Sequence, residues 1–315
     1  MKGDVQMKEI RIGSRGSKLA VWQAEHVKAE LEARHAGITV TIQKIKTTGD
    51  KILDVPLAKV GGKGLFVKEI EDALLRNEID IAVHSMKDVP AVLPEGLCIG
   101  AIPEREDPRD ALLSRDGCGF LHLKAGARVG TSSLRRISQL LNQRPDIIIH
   151  PLRGNLDTRI SKLDAGEFDA IILAAAGIRR LGWAERITEY LPETISLPAI
   201  GQGALCIECR EADIGTREMI SPLDHCETNI CVRAERAFLI RLDGGCQVPI
   251  GAYAVMSGDN IVIEGFIASV DGRRMVREKR SGTTDNPEEA GTALAESLLL
   301  QGGEEILREV YGATK

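Results

Sequence analysis

The stretch IDIAVHSMKDVP, residues 79–90, ends in side chains that could exchange protons and bind charged groups. Ile79, Ile81 and Val83 alternate, and Ala82 between them is also apolar, which predicts a strand covered on both faces. The strand leads into four polar side chains: His84, Ser85, Lys87 and Asp88. Open α/β sheets bind ligands at the carboxyl ends of their strands, so these side chains are candidates for a ligand site. The alternative is structural, with Asp88 capping a turn and Lys87 solvated beside it.

A second candidate lies near the start of the chain, in SRGS, residues 14–17. A predicted strand over residues 8–13 runs into this turn, and a predicted helix begins near Lys18 with a serine as its cap. The free backbone N–H groups and positive dipole end of such a helix favour an anion, and Arg15 adds a full charge. The alternative is an ordinary capped helix with Arg15 in solvent.

Arginines in the middle of the chain concentrate where predicted strands lead into helices. They are Arg135, Arg136, Arg153, Arg159, Arg179 and Arg180. In a chain of net charge −5, this placement favours binding of carboxylates or phosphates, with which a guanidinium group pairs bidentately. The alternative, an ion pair with a nearby acidic residue, is open for each arginine taken singly.

The loop LAKVGGKG, residues 57–64, combines three glycines with Lys59 and Lys63. This composition predicts a mobile cationic loop that closes over an anionic ligand. The loop lacks the spacing of a P-loop, and simple exposure is the alternative.

The seven cysteines are an odd number scattered through a large chain, which is unlike a secreted disulfide framework. Cys206 and Cys209 form a CxxC, with Cys226 and Cys231 further on, so a zinc site is an alternative. Residues three apart on a strand point to opposite faces, which argues against zinc, and we expect no metal. Cys246 follows two glycines, and its residue type alone favours a packed thiol over an exposed one.

Alternating strand and helix patterns predict the scaffold that positions these residues, a mostly parallel α/β arrangement. The segment 127–138 repeats the layout of 10–21, and 154–170 parallels 64–81. This repeat predicts two similar α/β lobes with a cleft. After a proline- and glycine-rich connector over 192–203 and a further strand, a helix is predicted over 227–243. Three strands and a last helix over 287–311, broken at Gly302 and Gly303, predict a small α+β domain with an antiparallel sheet.

The composition limits the classes of function. At 315 residues and 43% hydrophobic residues, the chain is long enough for two or three domains with large cores. A net charge of −5 and 3% aromatic residues provide neither a basic field nor stacking platforms, so we expect no nucleic-acid partner. The sequence has no apolar leader and no uninterrupted apolar run of membrane length, so we expect no membrane partner and a cytoplasmic location.

Seven segments together resemble the porphobilinogen deaminase (hydroxymethylbilane synthase) family. In order they are GSRGSKLAVWQ, LAKVGGKGLFVKE, DIAVHSMKDVP, GTSSLRR, LRGN with a downstream TR, PAIGQGAL and GGCQVPIGA, and they span nearly the whole chain. The resemblance implies two lobes similar to type-2 periplasmic binding proteins, a return of the chain to the first lobe, and a small third domain. We therefore expect domain 1 at residues 1–103 plus 200–222, domain 2 at 104–199 and domain 3 at 223–315.

The resemblance also implies an activity. The family deaminates porphobilinogen, joins four units on a covalently attached dipyrromethane cofactor and releases hydroxymethylbilane, a step of tetrapyrrole (haem) biosynthesis. Matching positions make Cys246 the thioether anchor of the cofactor, in place of the packed-thiol interpretation, and Asp88 the catalytic carboxylate. The other expected cofactor-binding residues are Lys87, Thr131, Ser132, Ser133, Arg135 and Arg136. The expected substrate-binding residues are Arg15, Ser17, Lys59, Arg153, Arg159 and Arg180.

These implied roles agree with the chemistry. Loss of ammonia creates a cationic azafulvene, and coupling creates a pyrrolium-like centre that must lose a proton, so one carboxylate can stabilise charge and move protons throughout. Each porphobilinogen carries two carboxylates, so a growing chain of pyrroles needs many cations around it.

Two alternatives stay open on the sequence. A two-lobe carrier or sensor that closes on a dicarboxylate explains the arginines and the cleft, but it gives no purpose to Asp88 or to the GGC segment. A zinc-dependent hydrolase using Cys206 and Cys209 fails on the strand geometry. Because no exposed apolar stripe is evident, we expect a monomer whose partners are porphobilinogen and its oligomers.

Overall fold

The structure is a computed structural model that describes residues 9–51, 67–243 and 248–313. The chain divides into two compact units. The described residues of the first unit come from 9–51, 67–104 and 204–229, and those of the second from 105–203, 230–243 and 248–313. No described helix is long and apolar enough to cross a membrane.

The first unit is built on a five-stranded sheet in the order β2-β1-β3-β10-β4. Its strands are β1 (Glu9–Ser14), β2 (Thr39–Lys44), β3 (Ile81–Ser85), β4 (Leu97–Ala101) and β10 (Leu205–Arg210). β1 runs parallel to β2 and β3, whereas β10 runs antiparallel to β3 and β4. Its helices are α1 (Lys18–Arg34), α2 (Thr48–Lys51), α3 (Lys68–Leu75) and α7 (Ile214–Ile220).

Helices cover both faces of this sheet, which explains the apolar run in β3. Ile81 and Val83 belong to a buried cluster that includes residues of α1, whereas Ala82 packs in a second cluster with residues of α3. The prediction of a strand covered on both faces is confirmed. The strand begins at Ile81 instead of Ile79, because pairing with β1 starts where Ile81 meets Ile12.

The second unit contains a lobe with the same sheet pattern, in the order β7-β6-β8-β5-β9. Its strands are β5 (Asp110–Ser114), β6 (Arg128–Gly130), β7 (Ile148–His150), β8 (Ala170–Ala174) and β9 (Glu189–Leu191). β6 runs parallel to β7 and β8, and β5 runs antiparallel to β8 and β9. Its helices are α4 (Leu134–Gln143), α5 (Leu156–Asp164) and α6 (Ala175–Arg180). Each lobe therefore has one reversed strand in an otherwise parallel sheet. The similarity of the two lobes, which the internal repeat predicts, is confirmed.

The C-terminal part of the second unit carries an antiparallel sheet of β11 (Ile250–Ser257), β12 (Asn260–Ala268) and β13 (Met275–Thr283). Its helices are α8 (Cys226–Arg241), α9 (Pro287–Leu298) and α10 (Glu304–Ala313). The expected break in the last helix is confirmed, since Gly302 has a φ of 103° between α9 and α10. The predicted fold class, two α/β lobes and a small α+β domain with a three-stranded antiparallel sheet, is confirmed.

A buried carboxylate ties the connector of this unit to its C-terminal sheet. Glu235 of α8 is fully buried and accepts hydrogen bonds from the backbone N–H groups of Gly201, at 2.7 Å, and Ala254, at 2.9 Å. Arg105 donates to both of its oxygens, at 2.6 and 3.0 Å. The pair is thus fully hydrogen-bonded, as a buried charge requires.

Candidate active site

The chain turns sharply at the carboxyl end of β3. Met86–Asp88 form a single 3₁₀ turn, which the N–H of Val89 closes by donating to the carbonyl of Met86 at 3.1 Å. Met86 is buried, and its N–H donates to the carbonyl of Ala204 at 3.0 Å. This anchored backbone presents Asp88 at the surface, with Lys87 half-buried beside it.

Asp88 lines a pocket that also receives the start of α1. The polar side chains around this pocket are Arg15, Ser17, Gln23, His84, Ser85 and Asp88. Ser17 caps α1 by accepting a hydrogen bond from the N–H of Ala20 at 3.3 Å, as predicted. The structure therefore brings together Arg15, Ser17 and Asp88, which the sequence separates by about seventy residues.

Gln23 is a pocket residue that the sequence did not single out. Its side chain is 2% exposed, and its amide donates to the Ser85 hydroxyl at 2.9 Å. This bond links α1 to the end of β3 and fixes the rim of the pocket. The only sequence signal for Gln23 was its position, a glutamine beside the apolar stripe of α1.

In the second unit, three parallel strands lead into helices that carry the predicted arginines. β7, β6 and β8 are neighbours in the sheet, and α5, α4 and α6 respectively follow them. Since the strands run in the same direction, Arg135 and Arg153 follow strand ends at one edge of this lobe. Arg180 is the last residue of α6, the short helix that follows β8. Ligands bind at such edges in open α/β sheets.

Two of these arginines are buried and paired. Arg135 and Arg136 are 5% and 6% exposed, and both donate to the carboxylate of Asp110, at closest distances of 2.8 and 2.7 Å. Ser196 and Gln202 also donate to Asp110, at 2.6 and 3.0 Å. Burial alone would raise the pKa of Asp110, but the two guanidinium charges outweigh burial and hold that pKa far below its usual range. The ion-pair alternative therefore holds for these two arginines, and their cofactor role stays a prediction.

The hydroxyl residues before α4 are partly engaged with backbone. Ser132 donates to the carbonyl of Leu152 and accepts from its N–H, both at 3.0 Å. Thr131 is buried and accepts from the N–H of Ser133 at 3.3 Å. Ser133 occupies the cap position of α4 without a side-chain cap bond.

The remaining predicted arginines differ in their surroundings. Arg153 is half-buried between β7 and α5, and Arg159 of α5 donates to the carbonyl of Gly154 at 2.8 Å. Arg180 donates to the carbonyl of Gly203 at 2.7 Å, and burial lowers its pKa to about 10. Arg179 pairs with Glu106 at 2.9 Å.

Three predicted residues lie outside the described part of the chain: Lys59, Lys63 and Cys246. Their assignments stay predictions. Cys206 and Cys209 both lie on β10, as expected, and no group of three or more metal-binding side chains occurs among the described residues.

Comparisons with known proteins agree over nearly the whole chain. Residues 10–218 match the family model described as "porphobilinogen deaminase, dipyromethane cofactor binding domain", and residues 229–300 match the model of the porphobilinogen deaminase C-terminal domain. The porphobilinogen deaminase of Geobacter sulfurreducens is 60% identical over 305 residues, covering 97% of this chain and 96% of that relative. That of Geobacter metallireducens is 59% identical over 304 residues, covering 96% and 95%.

Likeness to solved structures is remote. A TRAP periplasmic solute binding protein from Desulfovibrio salexigens shares 13% identity with a TM-score of 0.43, covering 69% of this chain and 72% of that one. The family assignment rests instead on the two matched domains and on relatives that span the full chain. On these grounds the chain belongs to the porphobilinogen deaminase family.

Proposed function

We propose that this protein condenses four porphobilinogen molecules head to tail, with loss of ammonia at each addition, and releases hydroxymethylbilane by hydrolysis. The observation that carries the proposal is Asp88, held at the end of a buried strand in a pocket with Arg15 and Ser17. Family membership supports the reaction, and the pocket supports the assignment of its residues.

The donor set of the described residues fits a polycarboxylate pyrrole cofactor. The dipyrromethane implied by the family carries carboxylates and pyrrole N–H groups, which require cations and hydroxyl donors on one side and a carboxylate on the other. The residues that would hold it are Cys246, Lys87, Asp88, Thr131, Ser132, Ser133, Arg135 and Arg136. When bound, it supplies the pyrrole carbon at which elongation starts.

Asp88 is the proposed catalytic carboxylate. It binds the substrate's ammonium group before ammonia leaves, and it then stabilises the positive charge that spreads over the pyrrole ring. It also accepts the proton that the reacting pyrrole must lose. Its position on an anchored turn means that little reorganisation accompanies these events.

The cationic residues are proposed to bind the substrate's carboxylates. Arg15 and Ser17 stand at the start of α1, a seventeen-residue helix whose N-terminal dipole and N–H groups favour anions. Arg153, Arg159, Arg180 and Lys59 are proposed to do the same for the growing chain. Arg153 follows a strand end at the edge of the second lobe, the usual place for such binding.

We also propose that the protein is a cytoplasmic monomer. The six described cysteines are all free, which suits a reducing compartment. The exposed large apolar side chains are scattered through the described chain, including Val92, Leu121 and Ile214, and this pattern favours a monomer. Light scattering should give the mass of one chain, and twice that mass would contradict the proposed monomeric state.

The experiment that tests the proposed site compares the parent with Asp88→Asn. We expect the variant to fold and to load cofactor, and to lose at least about 100-fold in turnover, because the amide neither carries charge nor accepts the proton. Product formation from porphobilinogen measures turnover, and intact mass measures cofactor loading.

The matched control is Asp116→Asn, which makes the same chemical change at an exposed turn. It should keep parental turnover. An Asp88→Asn protein with near-parental turnover would overturn the catalytic assignment.

A further inference from the structure

A buried group of ionisable side chains lies directly behind the pocket of Asp88. His84 belongs to β3, Glu208 to β10 and Glu71 to α3, and they are 5%, 0% and 5% exposed. His84 Nε2 lies 3.0 Å from Glu208 Oε2. His84 also lines the pocket of Asp88, so it is the member that the pocket and this group share. We call these three residues the buried triad.

The buried triad is short of hydrogen-bond partners. Oε1 of Glu71 and Oε1 of Glu208 are both buried, and neither has a partner among the described residues. Burying a carboxylate oxygen without a partner is unfavourable, and two buried carboxylates repel each other. Protonation of one of the two carboxyl groups relieves both effects, so the geometry favours one neutral carboxylic acid within the buried triad.

The pKa of Glu71 agrees with this geometry. Burial, followed by the charge of Glu208, raises the pKa of Glu71 to about 7, and the nearby His84 opposes the rise. Ionisation of Glu71 therefore adds a negative charge to this buried group as the pH passes through about 7.

The other charged groups around Glu71 either form ion pairs with other residues or lie on α3 itself. The helix packs against β1, β3, β4 and β10. From these strands, Arg11 and Arg210 pair with Asp80, at 2.9 and 3.3 Å, and the thiols of Cys98 and Cys209 lie 3.7 Å apart. The other charged residues of α3 are Lys68, Glu69 and Asp72, of which Asp72 adds slightly to the rise in the pKa of Glu71.

We propose that Glu71 and Glu208 position His84 and supply negative charge behind the pocket, and that this charge stabilises the cation formed when ammonia leaves the substrate. In each addition the carbon–nitrogen bond to ammonia breaks, a carbon–carbon bond forms, and the proton lost from the pyrrole carbon departs with ammonia as ammonium. When ammonia leaves, the positive charge of the substrate's ammonium group passes to the pyrrole ring, where it stays until the proton is lost, and a fixed negative charge nearby stabilises this cation. Glu71 and Glu208 are positioning residues, and the inference rests on the proposed function of Asp88.

The negative charge of ionised Glu71 should favour turnover and disfavour substrate binding. Ionisation of Glu71 raises kcat, since it stabilises a cation, and raises KM, since the substrate is an anion. In the parent holoenzyme, kcat should therefore increase through about pH 7. Glu71→Gln fixes this position as neutral, so its kcat should stay flat with pH and lie about three- to tenfold below the parent at pH 8, with KM equal or lower.

The matched control is Glu78→Gln, which makes the same change at an exposed residue paired with Arg76. It should keep the parental pH profile. Glu208→Gln is the second variant, should Glu71→Gln fold poorly. It should lower kcat, because it removes a negative charge behind the pocket, and it should shift the rise in kcat to lower pH, because the charge of Glu208 raises the pKa of Glu71. The pH dependence of unfolding of the same proteins reports ionisation of the buried triad without relying on activity.

The outcomes separate this inference from the proposed function. A parental pH profile in both Glu71→Gln and Glu208→Gln would overturn the role of the buried triad, as would an equal effect of Glu78→Gln. An inactive parent, or full activity in Asp88→Asn, would instead overturn the proposed function and with it the catalytic part of this inference. Ionisation of Glu71 would still be visible in unfolding in that case.

Discussion

An aspartate in each lobe has a different environment. Asp88 is exposed on an anchored turn, where it can meet a substrate, whereas Asp110 is fully buried between two arginines. The same residue type thus serves a candidate catalytic role in one lobe and a structural role in the other, and the surroundings decide which.

Asp110→Asn should strongly destabilise the protein. The variant leaves the guanidinium groups of Arg135 and Arg136 buried without a counter-charge, which costs about 3–5 kcal/mol in the free energy of unfolding. Urea denaturation at neutral pH measures the loss.

Asp146→Asn is the matched control in the same lobe, because Asp146 pairs with Arg144 at 2.6 Å but is exposed. It should leave the free energy of unfolding close to that of the parent. A loss in Asp110→Asn no larger than that in Asp146→Asn would contradict the structural role of the buried pairs.

Sequence reasoning reached Asp88, Arg15 and Ser17 because their motifs sit at strand ends and helix starts. It did not reach Glu71 or Glu208. Glu71 lies in KEIEDALL, where four charged residues among the first five suggest a solvated helix face. That Glu71 is buried follows only from the packing of the helix on the sheet. Glu208 was the stronger signal, a charge inside the apolar strand LCIECR.

The elements were easier to predict than the contacts between them. Alternating strand and helix patterns gave both lobes and the C-terminal meander, since periodicity is local. Local patterns could not predict the reversed strand in each sheet, because β5 and β10 pair with strands far away in sequence. Only the family resemblance implied the return of the chain that brings β10 to the first lobe. The partner of Arg135 and Arg136 was hidden for the same reason.

The packing of α3 on its sheet gives the stability of the first lobe a dependence on pH. Burial raises the pKa of Glu71 from 4.5 to about 7, so between these values the folded protein keeps a proton that the unfolded chain has released. The free energy of unfolding should therefore fall as the pH rises from 4.5 to 7 and level off above, by on the order of 2–3 kcal/mol in total.

Glu71→Gln should remove this fall while Glu78→Gln retains it. Urea denaturation at pH 5, 6, 7 and 8 measures the slope for each protein. A parental slope in Glu71→Gln would show that another group titrates.

At the scale of the whole molecule, composition and motif order predicted the class of protein, and the matched family domains bear this out. The domain boundaries at 103, 199 and 222 stay predictions. The chain groups into two compact units, with residues 105–203 and the C-terminal sheet in the same unit. Glu235 links the connector to β11 by accepting hydrogen bonds from Gly201 and Ala254. No local sequence pattern predicts these long-range contacts.

The proposed function requires that Cys246 carries a dipyrromethane to which four porphobilinogen units are added. Intact mass spectrometry of the purified parent beside a Cys246→Ala variant tests it most directly. We expect the parent to exceed its chain mass by two linked pyrrole units and to gain further pyrrole units with porphobilinogen, whereas the variant has the bare chain mass. A parent of bare mass that forms no covalent adduct with porphobilinogen would contradict the account.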